Sequence, residues 1–298
     1  MTTLEEAELF GFEIGVLKFF ESIRTDFLNF VFEAVTMLSE ETLMIVLIAI
    51  VWFAFDKRLA EKIFFISLVS LGINSTTKNL AKIPRPWTTG EVTCVRPDTA
   101  TGYSFPSGHT QNFATWSTLA ARNLKRTWLT AAVAVLIPLV AVSRIYLGAH
   151  YPSDVIVALI LGVGVAVIGD VIYERVSDKR KLYIGMTVFF TPFAVVFMIS
   201  GDPLFADFFK FYGATAALVL AISFEEKFAP ISYDVPWWKK VIRVVFGIAL
   251  AYGIKEGIKA LNVFDLTQIS FMMDAIRYFV LVFVCFGFYP WIIKKLKI

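Results

Sequence analysis

Histidine is nearly absent from this chain: His109 and His150 are the only two in 298 residues. Cysteine is as sparse, and Cys94 and Cys285 lie far apart, so no disulfide framework of the kind that staples a small secreted domain can be built. Charged residues amount to 18%, against about a quarter in soluble domains, and 57% of the chain is hydrophobic, which excludes an ordinary soluble protein. The net charge is only +3 and no basic run is interleaved with aromatics, so no nucleic-acid partner is expected. The opening residues, MTTLEEAELFGFE, are acidic and lack the basic flank and apolar core of a cleaved signal. The apolar segments are therefore expected to be mature structure, and the class left standing is a membrane protein that crosses the bilayer several times.

Crossing about 30 Å of hydrocarbon takes roughly 20 mostly apolar residues in a helix. Ten candidate spans follow: residues 22–39, 42–55, 61–80, 110–124, 128–146, 153–173, 182–200, 204–224, 241–258 and 273–293. The second is short enough to be tilted or half-buried. Residues 9–20 read as an amphipathic helix lying along the interface. Pro138 and Pro192 fall inside spans, where membrane bundles tolerate kinks. Alternate loops are basic, with Lys57, Arg58 and Lys62, then Arg122, Lys125 and Arg126, then Arg175, Lys179, Arg180 and Lys181. Lys239, Lys240 and Arg243 continue the series, and Lys294, Lys295 and Lys297 end it. The intervening loops hold Glu40 with Glu41, Asp202, and Asp265. The excess of Lys and Arg places the basic side, with both termini, in the cytosol, and the two histidine segments on the outer face.

Three polar clusters fall on that outer side. KNLAKIPRP carries Lys78 and Arg85; YSFPSGHTQNF carries Pro106 to His109; SRIYLGAHYPSD carries Ser143, Arg144, His150 and Asp154. No other stretch concentrates so many cations, imidazoles and carboxylates.

In order and spacing these segments resemble the motifs of the type 2 phosphatidic acid phosphatase superfamily, which includes lipid phosphate phosphatases and vanadium-dependent haloperoxidases. The motifs read K-x(6)-R-P, P-S-G-H and S-R-x(5)-H-x(3)-D, and Lys78 to Pro86, Pro106 to His109 and Ser143 to Asp154 match each motif position. The resemblance implies a phosphohistidine mechanism in which His150 attacks phosphorus and Asp154 orients its ring. His109 would protonate the leaving oxygen and later activate water. Lys78, Arg85 and Arg144 would hold the phosphate, a charge-neutralising task suited to the arginine fork. Ser107 and Gly108 stand where a helix begins, so their backbone N–H groups are expected to face the anion, and Gly108 admits close approach of the backbone. Neither a metal nor a cofactor is required by this scheme.

The expected architecture is all-α. Residues 1–175 would form a six-helix phosphatase core with the interfacial N-terminal helix, and residues 176–298 an appended module of about four further transmembrane helices. The expected substrate is a lipid phosphate or prenyl diphosphate, in the cytoplasmic membrane of a bacterium, and the sequence leaves the oligomeric state open. Other readings of the same residues are a phosphotransferase, a vanadate-dependent haloperoxidase, whose soluble relatives fit this composition poorly, and, from another class, a transporter. Bland roles are expected for Lys82 as an interfacial anchor and Arg96 as a solvated loop charge, while Ser143 reads either as a capping or back-bonding serine or, as the resemblance implies, as a support near the phosphate. Lys255, Glu256, Lys259, Asp274 and Arg277 read equally as ion pairs between two helices or as functional groups.

Overall fold

Apolar segments in lipid must satisfy every backbone N–H and C=O internally, which favours helices over open strands. The computed structural model describes residues 4–260 and 266–298, with side chains from residue 11 onward, and among them it contains helices and no strand. Asp265, one of the acidic loop residues above, lies outside the described residues. The helices are α1 (Leu4–Ser22), α2 (Asp26–Met37), α3 (Glu41–Ile50, continued by a π turn over Val51–Phe55), α4 (Lys57–Ala81), α5 (Gly108–Leu124) and α6 (Thr127–Tyr146). They continue with α7 (Pro152–Arg175), α8 (Lys179–Ser200), α9 (Ala206–Phe228), α10 (Trp237–Ala260), α11 (Thr267–Val282, continued by a π turn over Phe283–Phe288) and α12 (Tyr289–Leu296).

By packing, the chain forms two units, Met1–Leu43 with Ile73–Ile168, and Met44–Gly72 with Gly169–Ile298. The boundary read from the sequence cuts once, after residue 175. Packing instead groups residues 44–72 with the C-terminal helices, because Trp52 lies 4.5 Å from Phe286 and Phe53 5.2 Å from Tyr289, ring centre to ring centre. In this second unit α9 and α11 meet almost backbone to backbone. A Cβ at Gly213 would sit 2.0 Å from the carbonyl oxygen of Ala275, so only glycine allows the crossing. Asp274 and Arg277 pair at 2.6 Å within α11 itself, so this ion pair does not tie one helix to another.

Six of these segments are long and apolar enough to cross a membrane: α4, α6, α7, α8, α9 and the run from α11 to α12. The protein is an integral membrane protein. α5, with 17 residues, falls short of the six, and its buried face is polar, with Thr110, Gln111, Asn112, Thr115 and Ser117 all turned inward. α10, which carries Arg243, Lys255 and Glu256 along its apolar stretch, is not among the six either. The two spans expected over residues 22–55 become α2 and α3, which are bent by 45° at a short break and together make one candidate span. Each half alone is too short, α2 having 12 residues where roughly 20 are needed.

α1 and the turn after it bond to the end of the first unit that carries both histidine segments: Glu13 of α1 accepts from the Ser153 amide at the start of α7, and Arg24 in the turn donates to the Tyr146 carbonyl at the end of α6. Lys18 pairs with Glu91 in the loop between α4 and α5. These contacts set the described part of α1 against the end of the first unit that carries the histidines. Leu17 of α1 packs with Val92 and Tyr151 in a small apolar cluster there, while Phe12, Phe19 and Ile23 are turned outward.

Candidate active site

Four helix ends of the first unit converge: the C-terminus of α4, the N-terminus of α5, the C-terminus of α6 and the N-terminus of α7. α4 and α5 are locked by Asn74, whose amide donates to the Gln111 side chain at 2.8 Å and to the Pro106 carbonyl at 3.3 Å. α5 and α7 approach so closely that a Cβ on Gly162 would lie 2.5 Å from the Gln111 carbonyl. The Thr115 hydroxyl donates to the Gly162 carbonyl at 3.1 Å across that contact. These polar contacts fix the axial register that brings the three sequence motifs together.

His150 stands in the short connection between α6 and α7, 1% exposed. Its Nδ1 is 3.2 Å from Asp154 Oδ2 and its Nε2 3.1 Å from Arg85 Nη1. A guanidinium can only donate, so Nε2 is the acceptor and the ring proton sits on Nδ1, donated to Asp154. Burial first, then the positive charges of Arg85, Lys78 and Arg144 and the neighbouring His109, holds the His150 imidazole well below its usual protonation range. It is a neutral ring in one tautomer.

Asp154 is equally buried. Besides His150, its Oδ2 accepts from the Ser104 hydroxyl at 2.5 Å and from the Tyr151 amide at 2.9 Å. Ser104 is fully buried and was not singled out from the sequence, although it lies two residues before Pro106 in the same polar segment. Ser104→Ala should weaken the grip on Asp154 by about 1.5–3 kcal/mol, the usual worth of a hydrogen bond to a charged group. Thermal unfolding in detergent, together with kcat, measures that loss, and kcat is expected to fall roughly tenfold as the ring loses its fixed partner.

The three cations differ in what they hold. Lys78 donates to the carbonyls of Tyr103 at 2.7 Å and Ser104 at 3.2 Å. Arg85 bonds the carbonyls of Thr101, Gly102 and Ala149 as well as His150, tying the loop before α5 to the loop before α7. Arg144 is 0% exposed; its Nη1 donates to Thr36 Oγ1 of α2 at 2.8 Å, while Nε and Nη2 have no partner among the described residues. Thr36, also missed from the sequence, orients this guanidinium from 108 positions away.

Ser107 is the N-cap of α5, its hydroxyl accepting from the Thr110 amide. The expectation that its own N–H faces an anion is corrected, because that N–H donates to the Asp154 carbonyl at 3.1 Å. The amides left without an intrahelical acceptor at this end are those of Gly108 and His109. A Cβ on Gly108 would touch Asn74 Oδ1 at 3.4 Å and Lys78 Cε at 3.9 Å, so glycine keeps the side of the lysine open. His109 is the second residue of α5 and is partly exposed. Ser143 back-bonds to the Val140 carbonyl at 2.6 Å, the bland alternative for it. Arg96, expected in solvent, pairs with Glu40 at 3.0 Å and is 24% exposed. Among the described residues no group of three His, Cys, Asp or Glu side chains is placed to hold a metal ion.

Helices meeting end to end around a buried imidazole lined by cations define the candidate site of this integral membrane protein. Residues 59–181 match the PAP2 superfamily, and residues 209–298 match the PAP2 superfamily phosphatase transmembrane extension. Among similar proteins, phosphatidylglycerophosphatase B of Bacillus subtilis is 30% identical over 47% of this chain and 72% of its own length. Phosphatidylglycerophosphatase B of Haemophilus influenzae is 46% identical over 20% of this chain and 29% of its own. Decaprenylphosphoryl-5-phosphoribose phosphatase of Mycobacterium tuberculosis is 42% identical over 29% and 47%. The chain thus spans less than half the length of the last two. A crystal structure of a transmembrane PAP2-type phosphatidylglycerolphosphate phosphatase from Bacillus subtilis aligns with a TM-score of 0.48 and 21% identity, over 56% of this chain and 87% of that one. The chain belongs to the PAP2 superfamily.

Proposed function

We propose that the protein removes phosphate from a lipid phosphate or prenyl diphosphate by two displacements at His150, with no metal ion taking part. The observation that carries this reading is the single tautomer of His150, its proton donated to Asp154 and its Nε2 lone pair turned toward Arg85. Nε2 attacks phosphorus as the bond from phosphorus to the lipid oxygen breaks. His109, held neutral by burial and the nearby cations in the unliganded site, takes up a proton when the phosphate charge enters and donates it to that oxygen. Asp154 stabilises the positive ring that results. His109, now a base, takes a proton from water as the water oxygen attacks phosphorus and the bond to Nε2 breaks. Arg85 Nη1 occupies the direction from which phosphorus must arrive, so substrate binding transfers that contact from nitrogen to a phosphate oxygen. Arg144, with two N–H positions uncommitted, supplies the forked anion contact.

The names of the relatives, a phosphatidylglycerophosphatase and a decaprenylphosphoryl-5-phosphoribose phosphatase, support a phosphorylated lipid as substrate. Arg122 in the last turn of α5, with Lys125 and Arg126 between α5 and α6, lies at the helix ends remote from the site. The preference of such residues for the cytosol supports a site facing outward from a bacterial cytoplasmic membrane. The test is phosphate release in detergent micelles with excess chelator, over a panel of lipid phosphates and prenyl diphosphates. Release is expected to survive chelation and to rank one lipid class first. Release that depends on an added divalent ion would overturn the metal-free scheme. Phosphate passed to an added alcohol but not to water would make the protein a transferase.

A further inference from the structure

The first turn of α7 carries both His150, just before it, and Asp154, its third residue, and it is capped in an unusual way. Pro152 occupies the first helical position, where its missing N–H costs nothing. Asp154 reaches back to the Tyr151 amide, which is one arm of a capping box. The other arm needs an acceptor on the residue before the helix, and that residue is Tyr151, whose side chain cannot serve. The acceptor comes instead from α1: Glu13 Oε1 receives the Ser153 N–H at 2.7 Å, with Glu13 only 4% exposed. A carboxylate at this position also meets the positive end of the helix. Both carboxylates thus stand at the start of the helix, and burial, then their negative charges, pushes the Tyr151 phenol up to about 12.

We infer that Glu13 is a positioning residue for the reaction, acting as the surrogate N-cap that fixes the start of α7 and hence the angle at which Asp154 presents His150. α1 is then part of the catalytic apparatus, held to it by Glu13 in its middle and, just past its C-terminus, by Arg24 on the Tyr146 and Thr93 carbonyls. The inference rests on the phosphohistidine reading above. It asks only for correct placement of the imidazole, so the cost appears in turnover and not in substrate binding.

The experiment compares the full-length parent with Glu13→Ala, Glu13→Gln and His150→Ala in the same micelles, reading kcat, KM and the thermal midpoint. Glu13→Ala is expected to lose about tenfold in kcat, as outer partners of a reacting histidine commonly do, with KM within about twofold of the parent. Glu13→Gln keeps an acceptor oxygen for Ser153 and is expected to recover most of that loss. Unchanged kcat in Glu13→Ala, a fall matched by loss of folded protein, or a glutamine variant no better than alanine would each overturn the positioning role. If Glu13→Ala does not fold, Glu13→Asp, one methylene short of the Ser153 amide, is expected to show the same loss of kcat at unchanged KM, and parental kcat there would overturn the role. Activity surviving in His150→Ala would instead strike the phosphohistidine reading, whatever the Glu13 variants do.

Discussion

Replacing His150 by alanine is expected to cut phosphate release by roughly 10⁴-fold or more, as loss of a nucleophile does in hydrolases with a covalent intermediate. The variant should remain folded. Asp154 keeps its bonds from Ser104 and Tyr151, and Arg85 keeps three backbone carbonyls. The same residue gives a pH signature that does not depend on turnover. The folded chain holds His150 neutral well below the ordinary value of 6.5, by burial and then by Arg85, whereas an unfolded chain takes up a proton near 6.5. Below that pH the unfolded state binds more protons than the folded one, so the stability linked to this group is complete above about 6.5 and is lost as the pH falls. The thermal midpoint of the parent should decline from pH 7.5 to 5.5, and that of His150→Ala should decline less. Undiminished release in the variant would remove His150 from the chemistry. Equal acid slopes would mean that the ring titrates as an ordinary surface histidine.

The motif side chains were legible because each lies within a few residues of a helix end, where spacing along the chain maps onto proximity. His150 and Asp154, four positions apart, are the plainest case. Their supports were not legible for the converse reason. Ser104 lies 50 positions from Asp154, Thr36 lies 108 from Arg144 and Glu13 lies 140 from Ser153, distances over which one sequence carries no pairing signal. Glu13 was further masked by its setting, since a carboxylate in an amphipathic N-terminal helix reads as part of a solvated face. The helical class followed directly from apolar composition. The span count differed at residues 22–55, where two short apolar runs on either side of Glu40 and Glu41 read as two crossings, whereas α2 and α3 form one bent candidate span. Ser107 illustrates a finer limit: a helix N-terminus offers several N–H groups, and which of them is already committed depends on a carbonyl from another helix.

Arg144→Met is expected to abolish phosphate release and at the same time to raise the thermal midpoint in phosphate-free buffer. The guanidinium is wholly buried, yet Thr36 is its one hydrogen-bond partner among the described residues, and Nε and Nη2 have none. A buried charge with unsatisfied donors is a liability for folding, and replacing such a group by an apolar side chain of similar length is commonly neutral or stabilising by about 1–4 kcal/mol. Strain of this kind persists where function requires it. The donors that destabilise the unliganded site are those that stabilise charge on the transferring phosphoryl group, and losing them should cost at least ~10²–10³ in kcat. Inorganic phosphate separates this account from a purely structural one. At about 100 times its dissociation constant, a ligand specific to the folded state adds about 2.7 kcal/mol, so phosphate should raise the midpoint of the parent. It should leave Arg144→Met nearly unmoved. A variant that is less stable than the parent and still responds fully to phosphate would make Arg144 a strut between α6 and α2, and would leave Lys78 and Arg85 to bind the anion.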